Sequence, residues 1–150
     1  MYRLIRTDSS NPDFVALVNQ LDAELAIRDG DDHSFYHQFN KIDAIKHVLI
    51  LYNGSEPVAC GAIKEFVKST AEVKRMYTLP EHRGKGLAGK VLSALELWAA
   101  ELGFTKWILE TGKKQPEAIA LYKKCGYSVI PNYGQYAGVV NSVCFEKQLT

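Results

Sequence analysis

The sequence predicts a mixed α/β fold in which one sheet and its helices form a single domain over residues 1–150. Three observations support this prediction. A length of 150 residues suits one domain with its own core. Two long segments carry apolar residues at helical spacing, and several short apolar runs have the length of strands. Because the strand candidates precede, separate and follow the helix candidates, we expect one mixed sheet.

The N-terminal part is expected to hold a strand and two helices. The first strand covers residues 2–6. Residues 11–13 (Asn-Pro-Asp) form a helix start, with a capping side chain, a first-turn proline and an acid near the positive end of the helix dipole. One face of this helix is apolar and comprises Phe14, Val18, Leu21 and Leu25. The run 29–32 ends the helix, and residues 35–45 are expected to hold a shorter one.

Three consecutive strands are predicted next. Residues 48–52 are apolar and stop at Asn53 and Gly54, a hairpin turn signal. Residues 57–66 form the second of these strands, and residues 72–78 form the third. The third mixes charged and apolar residues, which is unusual for a strand that only builds a core.

The C-terminal half alternates helices and strands. Leu87, Val91, Leu95, Trp98 and Leu102 recur at helical spacing until Gly103 ends the helix. A buried strand is expected at 107–109, a short helix at 116–125, and strands at 127–130 and 142–147. The prediction totals about seven strands and about four helices, by hydrophobic periodicity and turn signals.

Composition excludes several classes of protein. Hydrophobic residues make up 47% and charged residues 23%, as is ordinary for a globular protein. The net charge of +1 does not favour binding to nucleic acid or to an anionic membrane. We expect no membrane span and no signal peptide. Cys60, Cys125 and Cys144 are far apart, so we expect reduced, packing cysteines in a cytoplasmic protein. The four histidines lack metal-ligand spacing, so no metal is expected.

The strongest local signal is the glycine-rich segment 83–89, which reads Arg-Gly-Lys-Gly-Leu-Ala-Gly before a long helix. Glycines let the backbone approach a ligand closely, and the amides of a helix's first turn favour an anion. A phosphate or pyrophosphate site is the functional interpretation, and a tight strand-to-helix turn is the structural one. The spacing also fits a dinucleotide-binding fingerprint, with Glu110 as its acid. Residues 79–83 separate the strand from the first glycine, however, and too little chain follows for a doubly wound fold.

Two segments together resemble the GNAT superfamily of N-acetyltransferases. Residues 73–88 are similar to its motif A, which is Arg or Gln, two residues, Gly, one residue, then Gly or Ala. Residues 115–127 resemble its motif B, with Gln115 where the family usually has Asn. The two matches cover about half of the chain in the expected order, and residues 1–70 carry no diagnostic motif.

The resemblance implies a twisted sheet whose fourth and fifth strands splay apart to admit acetyl-CoA. Met76, Tyr77 and Thr78 would pair with its pantetheine arm, and the pyrophosphate would lie on Arg83, Gly84, Lys85, Gly86, Leu87, Ala88 and Gly89. The second motif adds Gln115, Ala118 and Tyr122 as cofactor contacts. Dimers are common among such proteins, so the resemblance also implies a homodimer.

Acetyl transfer to an amine needs a proton acceptor, a donor for the thioester oxygen and a donor for the leaving thiolate. A lysine-like amine has a pKa of about 10.4, so its neutral form at pH 7 costs about 4 to 5 kcal/mol without help. Glu72 is the first candidate base and Glu110 the second, with ion pairing as the alternative role of each. By resemblance, Tyr122 meets the sulfur and the Met76 N–H meets the oxygen, although Tyr122 also suits helix packing.

The residues that would bind the amine acceptor are the part of the site that the sequence specifies least. Asp22, Glu24 and His33 lie in the region that usually lines it, and the residues predicted to bind the acceptor are Arg28, Tyr36, Lys74, Arg75, Tyr133 and Tyr136. Lys74 and Arg75 suggest a carboxylate-bearing small amine, such as an amino acid. A protein lysine or N-terminus is the alternative acceptor. A non-catalytic CoA-binding or partner-binding domain and a nicotinamide-dependent oxidoreductase are the rival functions.

Overall fold

The computed structural model describes residues 1–30 and 44–149, which form one seven-stranded mixed sheet with helices packed on it. The spatial order of the strands is β1-β2-β3-β4-β5-β7-β6. The strands are β1 (Tyr2–Thr7), β2 (His47–Asn53), β3 (Glu56–Val67), β4 (Thr70–Thr78), β5 (Lys106–Gly112), β6 (Ser128–Ile130) and β7 (Ser142–Gln148). The helices are α1 (Pro12–Asp29), α2 (Leu87–Glu101) and α3 (Pro116–Lys124), with short 3-10 turns at Pro80–His82 and Gly134–Tyr136. The predicted fold class is confirmed.

Helix α1 begins where the capping pattern predicts. The Asn11 side chain accepts a hydrogen bond of 2.8 Å from the Asp13 N–H, and Pro12 occupies the first turn. Phe14 and Val18 are fully buried on the predicted apolar face. The predicted helix at 35–45 falls outside the described residues, except for Ala44 and Ile45, which are irregular. None of the helices in 1–30 and 44–149 has both the length and the apolarity that a membrane crossing requires.

Helix α2 packs closely on β3 at Gly61. A Cβ at this position would lie 2.6 Å from the Met76 sulfur and 2.7 Å from Leu95 Cδ1, so any larger residue would force these side chains to move. Val91 and Leu95 on the facing side of α2 are fully buried. This contact fixes the helix that follows the glycine-rich segment against the middle of the sheet.

Strands β4 and β5 separate along their length. They pair in parallel only over residues 70–72 and 106–108, and the remainder of each strand has no register with the other. In the β3–β4 ladder, Ala62 pairs with Lys74 and Cys60 pairs with Tyr77, so two residues of β4 oppose Gly61. This bulge bends β4. The predicted splay of the fourth and fifth strands is therefore present.

Candidate active site

A cleft of about 570 Å³ opens where β4 and β5 separate. Every residue predicted to bind the cofactor lines it except Lys85, which is exposed. Glu72, Glu110 and Tyr122 also line the cleft, so the three candidate catalytic residues share one space. Of the residues predicted to bind the acceptor, Arg28, Lys74, Arg75 and Tyr136 line it as well. Tyr133 contacts Glu72 beside the cleft, and Tyr36 lies outside the described residues.

The glycine-rich segment forms an open anion site at one end of the cleft. Gly84 and Gly86 have left-handed φ angles of 78° and 76°, and an added Cβ would meet nothing within 4 Å at either position. The first ladder bond of α2 runs from the Lys90 N–H to the Gly86 carbonyl. The amides of residues 87–89 consequently have no acceptor within the helix. Free amides, open space and the positive end of the helix dipole suit a pyrophosphate.

Arg83 makes two polar contacts beside this loop. Its Nε donates to the Thr78 carbonyl at 2.9 Å, and its Nη2 donates to Glu24 on α1 at 2.8 Å. This hydrogen bond from Arg83 lowers the pKa of Glu24. The guanidinium therefore joins the loop to α1, and the backbone amides of residues 87–89 remain open to an anion.

Glu72 is a buried carboxylate in a small polar network. It is 4% exposed and accepts a hydrogen bond of 2.7 Å from the Tyr133 hydroxyl. The Lys74 ammonium lies 3.5 Å from the same carboxylate and 3.5 Å from the Tyr136 hydroxyl. Glu72 thus has the ion-pair partner that the alternative interpretation expected, and its carboxylate also lines the cleft.

Tyr122 projects from α3 into the cleft and is 6% exposed. Its ring packs against Tyr127 and Phe145, with centroids 5.7 and 5.8 Å away. Burial, and then the charge of Glu110, raise the pKa of Tyr122 above its ordinary value of 10.0. The phenol is therefore fully protonated at neutral pH and can act as a hydrogen-bond donor.

The cations that suggested a carboxylate-bearing acceptor both have partners. Arg75 is 7% exposed and makes two hydrogen bonds to Asp22, of 2.9 and 3.3 Å. Lys74 pairs with Glu72. A carboxylate entering the cleft would have to compete with these internal partners.

Helix α1 supplies one wall that the sequence only partly indicated. Leu21, Leu25 and Arg28 line the cleft, and Arg28 reaches Glu117 at 3.2 Å on the opposite side. The helical spacing placed Leu21 and Leu25 on the apolar face of the helix, but nothing in the sequence showed whether they pack in the core or line a cleft. His82 and Thr111 also line the cleft, and no pattern in the sequence marked them.

Comparison with known proteins gives a consistent result. The family model described as acetyltransferase (GNAT) family matches residues 13–127. A protein named IAA acetyltransferase, from Azospirillum brasilense, is 34% identical over 102 residues, which is 67% of each chain. The uncharacterized N-acetyltransferase YjgM of Escherichia coli K12 is 34% identical over 143 residues, or 87% of this chain and 82% of that one.

Solved structures share the fold over the full length. A structure named as an acyl-CoA N-acyltransferase, from Klebsiella pneumoniae, superposes with a TM-score of 0.84 at 31% identity, covering 100% of this chain and 99% of that chain. The PaiA N-acetyltransferase of Thermoplasma acidophilum, solved in complex with coenzyme A, has a TM-score of 0.73 at 15% identity, covering 99% of each chain. At that identity the likeness concerns the fold alone.

Proposed function

The chain belongs to the acetyltransferase (GNAT) family and is an acyltransferase that uses acetyl-CoA, and we propose that it acetylates the amine of a small molecule by direct transfer within a ternary complex. The observation that supports this proposal most strongly is the cleft between β4 and β5. There an open glycine loop, two carboxylates and a buried tyrosine face one space.

Acetyl-CoA supplies an acetyl group activated as a thioester. The open amides at the start of α2 suit its pyrophosphate. Residues 76–78 lie on the edge of β4 that β5 has left, where backbone groups are available to the pantetheine amides. Gln115 and Ala118 line the same cleft from the start of α3.

Glu72 is the proposed general base, and Glu110, directly or through water, is the second candidate. Each carboxylate faces the cleft, and each would take one proton from the ammonium form of the acceptor before the freed lone pair attacks the thioester carbon. Glu72 is held in place by Tyr133 and Lys74, which favours a fixed geometry for proton transfer.

The Met76 N–H and Tyr122 would serve the other two charges of the reaction. Met76 sits in the bulge of β4, outside the regular ladder, and its amide would donate to the thioester oxygen as negative charge builds there. Tyr122 would donate a hydrogen bond to the sulfur as the C–S bond breaks, and the sulfur would leave as a thiolate that takes up the second proton lost by the acceptor nitrogen. The products are the acetylated amine and the CoA thiol.

The acceptor is proposed to be a small amine that carries a protonated nitrogen into the cleft. Its region combines the apolar Leu21 and Leu25 with the carboxylates of Glu72 and Glu110. Because Lys74 and Arg75 already have acidic partners, an amine without a carboxylate would enter without displacing an ion pair. An amino acid is the competing acceptor class, since the same two cations would recognise its carboxylate.

The test is release of free thiol from acetyl-CoA with matched pairs of amines, with and without a carboxylate. We expect acceptor-dependent release, strongly reduced in Glu72→Gln and less so in Glu110→Gln. Glu101→Gln is the control, because it removes a carboxylate from an exposed ion pair with Arg6 outside the cleft. The reverse order of the first two variants would make Glu110 the base. CoA binding without turnover on any amine would instead support a binding domain.

A further inference from the structure

Arg75 has an unusual backbone for a residue inside a strand. Its φ angle is +58°, and Ser69 is the other non-glycine residue with positive φ among those described. Ser69 lies in the turn between β3 and β4, where this conformation is common, whereas Arg75 lies inside β4. A side chain with a Cβ disfavours the left-handed region, so surrounding contacts must hold Arg75 there.

Two contacts hold this residue from different elements. The two terminal nitrogens of Arg75 bond to the Asp22 carboxylate of α1, and the Arg75 side chain is 3% exposed. The Cys60 thiol of β3 donates to the Arg75 carbonyl at 3.4 Å. The Arg75 Nε is buried without a hydrogen-bond partner in the structure, so the arrangement is not one that stability alone would favour.

These contacts orient the peptide between Arg75 and Met76. All described peptide bonds are trans, so the carbonyl and the N–H of one peptide point in opposite directions. The Arg75 carbonyl faces Cys60, and the Met76 N–H therefore points away from it. Met76 lines the cleft, so the orientation of this peptide decides where its N–H can donate.

We propose that Asp22 is a positioning residue for acetyl transfer, which acts by holding Arg75 in the left-handed bulge that directs the Met76 N–H. The proposal rests on the proposed function, because it assigns that N–H to the thioester oxygen. It also gives Arg75 a role other than the acceptor binding expected from the sequence. Asp22 touches neither substrate in this account.

A three-variant comparison separates positioning from acceptor binding. In Arg75→Ala the strained backbone loses its contact with Asp22 and keeps only the one from Cys60, while in Arg75→Gly the left-handed conformation needs neither. We expect Asp22→Ala and Arg75→Ala to lower kcat roughly 10- to 100-fold, part of the 10²–10³ that one oxyanion donor supplies. Arg75→Gly should recover most of kcat, with the KM of the acceptor unchanged.

The pair is tested further by combining the changes. With Arg75→Gly present, Asp22→Ala should cost no additional activity, because no guanidinium remains for Asp22 to hold. Asp22→Asn is the milder variant, and Glu101→Gln controls for loss of an ion pair elsewhere. If Arg75→Gly lowered kcat as much as Arg75→Ala, the left-handed backbone would not be the cause and the proposal would be wrong. If both variants instead raised the acceptor KM and left kcat normal, Arg75 would bind the acceptor and the proposal would also be wrong.

Hydrogen exchange provides a readout that needs no acceptor. The peptide covering residues 73–78 should exchange faster in Asp22→Ala than in the unchanged protein, and Glu101→Gln should not alter it. Unchanged exchange in Asp22→Ala would overturn the positioning role whether or not an acceptor is found. Faster exchange together with no transfer to any amine would instead contradict only the proposed function.

Discussion

The Tyr133 hydroxyl donates a hydrogen bond of 2.7 Å to the carboxylate of Glu72, 61 residues away in sequence. Tyr133 is held by edge-on ring contacts with Phe66 and Tyr136, at centroid distances of 5.1 and 5.9 Å. The loop before β7 therefore holds the carboxylate of the proposed base in one position through the Tyr133 hydrogen bond.

Tyr133→Phe is predicted to lower both stability and kcat. The buried carboxylate loses a donor, which costs about 1 to 3 kcal/mol, and Glu72 is no longer held in one geometry. Urea unfolding and steady-state kinetics measure the two effects. Tyr52→Phe is the matched control, since it removes a tyrosine hydrogen bond of 2.6 Å to Asp13 outside the cleft. Equal kcat in the two variants would remove Tyr133 from the catalytic account.

Tyr122→Phe is predicted to lower kcat while leaving CoA affinity nearly unchanged. The hydroxyl is proposed to serve only the departing sulfur, and the ring would keep its packing against Tyr127 and Phe145. Because the pKa of Tyr122 is raised by burial, ionisation of this phenol should not limit kcat below pH 10. Calorimetry with CoA and a pH–rate profile are the measurements. A loss of CoA affinity that matches the loss of kcat would indicate a binding role instead.

Gly86→Ala is predicted to weaken CoA binding at least tenfold, which is about 1.4 kcal/mol. The left-handed φ of 76° disfavours alanine, and a side chain would occupy the space beside the open amides. Gly138→Ala is the control, because Gly138 has a φ of 77°, also has open space and does not line the cleft. Calorimetry should show weaker binding in the first variant only. Equal affinities would place the pyrophosphate elsewhere.

Stability is predicted to fall steeply above pH 10. Burial is the first cause that raises the pKa of Tyr122, Tyr127, Tyr133 and Tyr136 above 10.0. Their contribution is complete below pH 10 and is lost as the pH rises toward the folded-state values. Above pH 10 the unfolded chain releases protons that the folded protein retains, at about 1.4 kcal/mol per pH unit for each tyrosine.

Urea unfolding between pH 8 and 11 measures this dependence. Tyr127→Phe should make the free energy of unfolding fall less steeply with pH, by the contribution of one tyrosine. Glu96 keeps a partner in that variant, because the Lys147 ammonium lies 3.0 Å from its carboxylate. A free energy of unfolding that is flat from pH 9 to 11 would contradict the prediction.

Local signals in the sequence predicted most of the elements. Asn11 caps α1, Gly103 follows α2, and the apolar spacing from Leu87 to Trp98 marks the buried face of α2. These features depend on residues close in sequence, so periodicity and capping preferences suffice. The splayed strands came from the family resemblance, because no local pattern encodes a missing strand pair.

The detailed geometry of the site could not be predicted in this way. The pairing of Asp22 with Arg75 spans 53 residues and depends on how α1 lies across β4. The bulge at Arg75 depends on a register shift against β3, and a charged residue in a strand gives no sign of it. The expectation that Arg75 meets an acceptor carboxylate rested on charge alone, and the structure gives that charge an internal partner.

Transfer of labelled acetyl from acetyl-CoA to an amine tests the central claim most directly. The protein is incubated with ¹³C-acetyl-CoA together with pooled small amines, with and without carboxylates, and added protein substrates, and the products are identified by mass spectrometry. The account predicts one labelled acetyl group on a small amine, formed with the unchanged protein and the Glu101→Gln control and strongly reduced in Glu72→Gln and Tyr122→Phe. Labelled amine formed equally by all four proteins, or label found only on added protein substrates, would contradict it.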